Sequence, residues 1–122
     1  MLIDFHMHVF PDHLSQKALE KLSKTAGGIP YYTDGTVGDT VAKMKAWNVD
    51  YGVFMNIATN PKQQVHQQLG AVQREHEMLC FGSVHPDAED CVELYRIRKL
   101  RLKGVKLHPD YQNFFVDIPA TP

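Results

Sequence analysis

Short apolar segments alternate along this chain with stretches of helical periodicity, and that alternation narrows the fold to one class. Tyr51-Gly52-Val53-Phe54-Met55-Asn56-Ile57, Leu79-Cys80-Phe81-Gly82-Ser83-Val84 and Lys103-Gly104-Val105-Lys106-Leu107-His108 all read as short strands. They start near residues 51, 79 and 104, a spacing that leaves room for one crossover helix each. A fourth segment precedes them. Leu2-Ile3-Asp4-Phe5-His6-Met7-His8-Val9 alternates apolar and polar residues with period two, a strand running to about His8. Strand, helix, strand in regular succession implies parallel strands joined by right-handed crossovers.

The intervening helices carry their own signals. Asp12 or Ser15 is placed to cap a helix whose inner stripe is Leu14, Ala18, Leu19 and Leu22, and Gly27-Gly28 stops it. Residues 25–38 hold four glycines, a proline and two tyrosines and read as a loop. Val37, Val41 and Met44 begin a second helix that ends near Asn48. Thr59-Asn60-Pro61 reads as an N-cap with proline at the first turn, opening a helix with Val65, Leu69 and Val72 inward and an end near Glu77. Asp87 is placed to cap a helix with Cys91, Leu94 and Ile97 inward. Tyr111 to Pro122 reads as irregular. Trp47 and the methionines are core by default.

With 122 residues the chain is one domain, 1–122, of α/β class with about four parallel βα units. A closed (β/α)8 barrel needs about 250 residues, so four units amount to half of one. The rival at this length is an open doubly wound sheet, which usually places a glycine-rich phosphate loop after its first strand. Here Val9-Phe10-Pro11-Asp12 stands there, without glycine.

Charge excludes little but directs the reading. Thirteen Lys and Arg balance fourteen Asp and Glu, a net charge of −1 with histidine neutral, so no bulk field drives binding to nucleic acid or to a membrane surface. No apolar run reaches the roughly 20 residues that span a bilayer. The opening Met1-Leu2-Ile3-Asp4 lacks the basic start of a secretory signal. Cys80 and Cys91 read as reduced thiols, and the expected compartment is the cytoplasm.

Parallel α/β folds carry their chemistry at the C-terminal ends of the strands. His6 and His8 end the first strand, Asn56 the second, His85 the third, and Lys106 with His108 the fourth. Residues two apart on a strand point the same way, so Asp4, His6 and His8 share one side. Two neighbouring imidazoles suit two cis positions on a divalent ion, which would lower the pKa of a bound water. The competing reading is a pair of hydrogen-bonded histidines at a strand end. The spacing alone is a weak signal; its position on the first strand of a parallel fold makes it a strong one.

These residues resemble a known family. Ile3-Asp4-Phe5-His6-Met7-His8-Val9-Phe10-Pro11 is similar to the opening strand of the amidohydrolase superfamily, and within it to the group that includes aminocarboxymuconate-semialdehyde decarboxylase. Phe81-Gly82-Ser83-Val84-His85-Pro86 and Gly104-Val105-Lys106-Leu107-His108-Pro109 match the third- and fourth-strand patterns of that group. The resemblance implies a partial TIM barrel, a divalent metal that is usually Zn, and His6 and His8 as metal ligands. It implies hydrolysis of C–N or C–O bonds, or nonoxidative decarboxylation, of a small carboxylated substrate. The family takes further ligands from its fifth and eighth strands, beyond the four units read here. Two histidines fall short of the three protein ligands usual for catalytic zinc.

The other polar strand-end residues are substrate-binding candidates with bland alternatives. Lys106 is a contact for a substrate carboxylate or a layer residue of the barrel interior; some of the superfamily carboxylate a fourth-strand lysine to bridge two metals, but not the decarboxylase group. His108 is a substrate contact or a strand-end hydrogen bond. His85 and Asn56 are further candidates. His13, His66 and His76 fall on helices and suit solvated or capping roles. The basic run Arg96, Arg98, Lys99, Arg101 and Lys103 suits a solvated helix end with cations at the negative end of the dipole.

A half-barrel has two open sheet edges, which invite pairing. The expected assembly is a homo-oligomer through those edges. One alternative is a catalytically inactive, oligomerising half-barrel fragment without a complete metal site. Another is a phosphoesterase of the polymerase-and-histidinol-phosphatase type, which also opens with His-x-His; its Thr-x-x-Ser-Asp-Gly continuation is absent after His8.

Overall fold

The computed structural model describes residues 1–61, 66–76, 78–88 and 91–117, with backbone only at 66–68. Its elements are β1 (Ile3–Met7), α1 (Asp12–Thr25), α2 (Val37–Ala46), β2 (Tyr51–Met55), α3 (His66–Glu75), β3 (Met78–Ser83), α4 (Val92–Lys99), β4 (Gly104–Lys106) and α5 (Pro109–Gln112). The four strands form one sheet in the order β1-β2-β3-β4, and every pairing is parallel. The class is therefore α/β, as the alternation implies. The order never doubles back, whereas a doubly wound sheet reverses direction at its switch point.

Apolar side chains on one side of the sheet make the core. Phe54, Met78 and Cys80 pack with Met44 from α2, Leu69 and Val72 from α3, and Val9. Gly52 is required there by close approach: a Cβ would stand 2.6 Å from the Met7 sulfur and 3.1 Å from that of Met44. Burial pushes the Cys80 thiol up to about 11, so it stays protonated and unreactive at neutral pH. Register partners share a face, so Met55, Phe81 and Gly104 form one row on the opposite side and Ser83 and Lys106 the next. A Cβ on Gly104 would come within 2.6 Å of the Phe81 ring, which packs directly on that backbone.

Helix ends follow local chemistry. Thr36 caps α2, its hydroxyl accepting from the Asp39 N–H at 3.2 Å, while Asp34 accepts from both the Thr36 N–H and hydroxyl. Those two bonds hold the Asp34 carboxyl below its usual range. Helices α1, α2 and α4 all close with paired back-bonds around residues of positive φ: Gly27 with Gly28, Asn48, and Arg101. At α4 the Leu102 N–H reaches the Ile97 carbonyl and the Arg101 N–H that of Arg98, with Arg101 at φ 56°. The basic last turn of α4, Arg96, Arg98 and Lys99, stands where the dipole favours it.

Several sequence expectations are corrected. Pro11, not Asp12 or Ser15, occupies the N-cap of α1, and no side chain caps that helix. Cys91 is the N-cap of α4 in place of Asp87. Cys91 and Leu94 are exposed, and only Ile97 of that expected stripe is buried. Leu14 and Trp47 are also about half exposed. Each of these lies near the end of an amphipathic pattern, where the periodicity continues but the neighbouring layer does not. The segment after Pro109, expected to be irregular, begins with α5. The expected helix start at Thr59-Asn60-Pro61 leads into residues 62–65, which lie outside the described residues, as do Glu77 and 118–122. Among the described residues no helix is long and apolar enough to cross a membrane.

Candidate functional site

The sheet delivers its polar residues to the C-terminal ends of the strands. His6 is exposed and His8 half-buried, with ring centroids 4.9 Å apart and planes at 61°. The path of β1 places them so. Three steps along β1, from Asp4 to Met7, match two along β2, from Gly52 to Phe54. This irregularity interrupts the period-two alternation that would line up Asp4 with both histidines. An Asp4 carboxylate oxygen instead accepts from the backbone N–H of His6 at 3.1 Å. Bulges of this kind re-aim side chains beside sites.

The electrostatics of His8 shows what surrounds it. Burial holds its pKa below the ordinary value, and the neighbouring His6 pushes in the same direction. A hydrogen bond to the Met55 backbone opposes them, while Lys106 and His108 lower the pKa further. His8 is thereby kept neutral near pH 7, the state in which imidazole binds a metal. Lys106 and His108, at the end of β4, are thus among the charges felt at His8.

His108 has structural work at that place. It is the N-cap of α5, with Nδ1 accepting from the Tyr111 N–H at 3.5 Å and its ring 4.5 Å from that of Tyr111. The strand-end hydrogen bond is thus present, and it engages Nδ1. His85 is 9% exposed and turned into its own loop: Nδ1 accepts from the Asp87 N–H at 3.2 Å, with the Asp87 carboxylate 3.8 Å away. Asn56 follows β2, half-buried, and Lys106 ends β4, also half-buried.

Two residues beneath this rim escaped the sequence reading. Gln112 is 2% exposed, and its amide nitrogen donates to the carbonyls of Ala58 and Val84, both at 2.9 Å. Its oxygen accepts from the His108 N–H at 2.8 Å. Ser83, also buried, accepts from the Ala58 N–H at 3.0 Å and donates to the Lys106 carbonyl at 2.9 Å. Together they tie the chain after β2, β3 and β4 into one platform. The signal for α5 was present in the sequence: His108-Pro109 is a capping residue followed by proline at the first helical position.

The donor set can be tested against the metal that the His-x-His strand suggests. Among the described residues no group of three or more His, Cys, Asp or Glu is placed to hold a metal ion. His6 and His8 offer two imidazoles, and an Asp4 carboxylate oxygen accepts from the His6 N–H. Catalytic zinc usually has three protein ligands, so the described donors do not complete a site. No protein-family model, curated protein or solved structure matches the chain.

Proposed function

We propose that this chain is the first four-unit half of an amidohydrolase-type (β/α)8 barrel. In this reading His6 and His8 supply two ligands of a divalent-metal centre, zinc being the usual occupant. The remaining ligands come from whatever completes the barrel. The reaction is hydrolysis, or nonoxidative decarboxylation, of a small carboxylated substrate. Lys106 is the contact for the carboxylate, with His108, His85 and Asn56 along the same rim. The two unpaired cysteines suit the reducing cytoplasm. The observation that carries the reading is the pair of adjacent imidazoles, 4.9 Å apart, at the C-terminal end of the first strand of a sequential, all-parallel sheet.

Calorimetric titration of the full chain with zinc tests it. The expected result is a binding isotherm that His6→Ala and His8→Ala each abolish, with metal-dependent turnover of a carboxylated substrate panel in the complete assembly. Absence of zinc binding, or binding that survives both substitutions, overturns it. A second reading, a catalytically inactive oligomerising half-barrel, is favoured by the missing third ligand among the described residues. Oligomers that neither bind zinc nor turn over substrate would select it.

A further inference from the structure

We infer that the partner completing this sheet is a second copy of the same chain, with β4 of each copy pairing in parallel with β1 of the other. The inference rests on the half-barrel reading above and names what fills the missing half. Among the described residues β1 and β4 are the two edges of the sheet, and they run in the same direction. A twofold axis parallel to the strands therefore sets β4 beside the partner's β1, and the partner's β4 beside β1, with all eight strands parallel. Closure leaves no edge. Eight is also the strand number at which side chains fill a parallel barrel.

Both edges carry apolar surface that is exposed among the described residues. Ile3 and Phe5 are 42% and 64% exposed on β1, and Val105 and Leu107 are 41% and 48% exposed at β4. The charges are complementary. β1 presents Asp4, while Lys103 immediately precedes β4 and makes no ion pair among the described residues. Register brings these charges together. Asp4 is level with Gly52 and Met78; Phe81 pairs with Gly104, so Met78, three residues back, is level with Arg101. Half of a barrel with shear eight adds a stagger of about four residues. The direction that sets strand against strand moves Asp4 of one copy level with Val105 of the other and diagonal to Lys103, two residues back on the same face. The same stagger lays residues 105–108 of one copy along the His6 end of its neighbour. Lys106 and His108 of one copy then adjoin the histidine pair of the other across the junction, beside the Lys106 and His108 that each copy already sets within electrostatic reach of its own His8.

Sedimentation velocity of the full chain, in EDTA, separates this inference from the metal reading, because strand pairing needs no metal. The expected result is a dimer at about 100 µM, since such assemblies depend on protomer concentration. Val105→Lys should yield a monomer of unchanged far-ultraviolet circular dichroism. Asp4→Lys should weaken the dimer about tenfold, since it places like charges side by side at both junctions. Adding Lys103→Glu to Asp4→Lys should restore it. If Val105→Lys unfolds, the charge swap still decides. A monomer at that concentration, or a dimer indifferent to Asp4→Lys, overturns the inference. Zinc binding with no dimer would leave the metal reading standing and remove only this one.

Discussion

Replacing Gln112 with alanine should be among the most damaging polar substitutions in this chain. The side chain is 2% exposed and makes three hydrogen bonds to backbone groups after three different strands: the carbonyls of Ala58 and Val84 and the N–H of His108. Truncation removes all three and leaves their buried or partly buried backbone partners without a protein substitute. Each loss is worth about 1 kcal/mol, so the expected destabilisation is about 3 kcal/mol. Whole domains of this size are stable by only about 5–15 kcal/mol. In urea, at a slope of about 2 kcal/mol per molar, the unfolding midpoint should fall by about 1.5 M. Gln112→Glu should be no milder at neutral pH, because it replaces the two donated bonds with a carboxylate facing two carbonyls. Gln16→Ala is the control, since its bond to Glu20 lies on the exposed face of α1 and should matter by less than about 0.5 kcal/mol. A loss below that same level for Gln112→Ala would refute the clasp, because water would then be replacing the side chain without cost.

Three further outcomes follow from other parts of the molecule. Arg101 holds a left-handed conformation at the end of α4, so Arg101→Gly should raise stability by about 1 kcal/mol in the same urea assay, and a loss would mean that its side chain matters. Gly104→Ala should destabilise by about 1–3 kcal/mol by displacing the Phe81 ring, measured as a lower melting temperature; an unchanged value would show that the ring moves freely. His8 should titrate below 6.5 in an NMR pH series. Because its folded-state pKa is depressed, its contribution to stability is present above 6.5 and is lost as pH falls through the folded value; a midpoint above 6.5 contradicts the burial argument.

Legibility of the fold in sequence tracked the strength of local signals. Tyr51–Met55 and Met78–Ser83 were readable because buried parallel strands are continuous apolar runs closed by turn residues. The histidine pair was readable because it sits on the first strand. The irregularity between Asp4 and Met7 was not, since a change of register depends on the neighbouring strand and leaves no mark in the residues themselves. Gln112 was hidden for a similar reason. Its three partners are fixed by where β2, β3 and β4 end, and a glutamine in sequence carries no sign of burial. Trp47 misled in the opposite direction: a large apolar residue at a helix end, half exposed because no layer covers it.

The most direct test of the account is a native mass spectrum of the full chain in the presence of zinc, which reports copy number and bound metal together. The account predicts a dimer that carries zinc and loses it, while remaining dimeric, when His6 and His8 are both replaced by alanine. A zinc-free monomer, or zinc retained in that double variant, would contradict it.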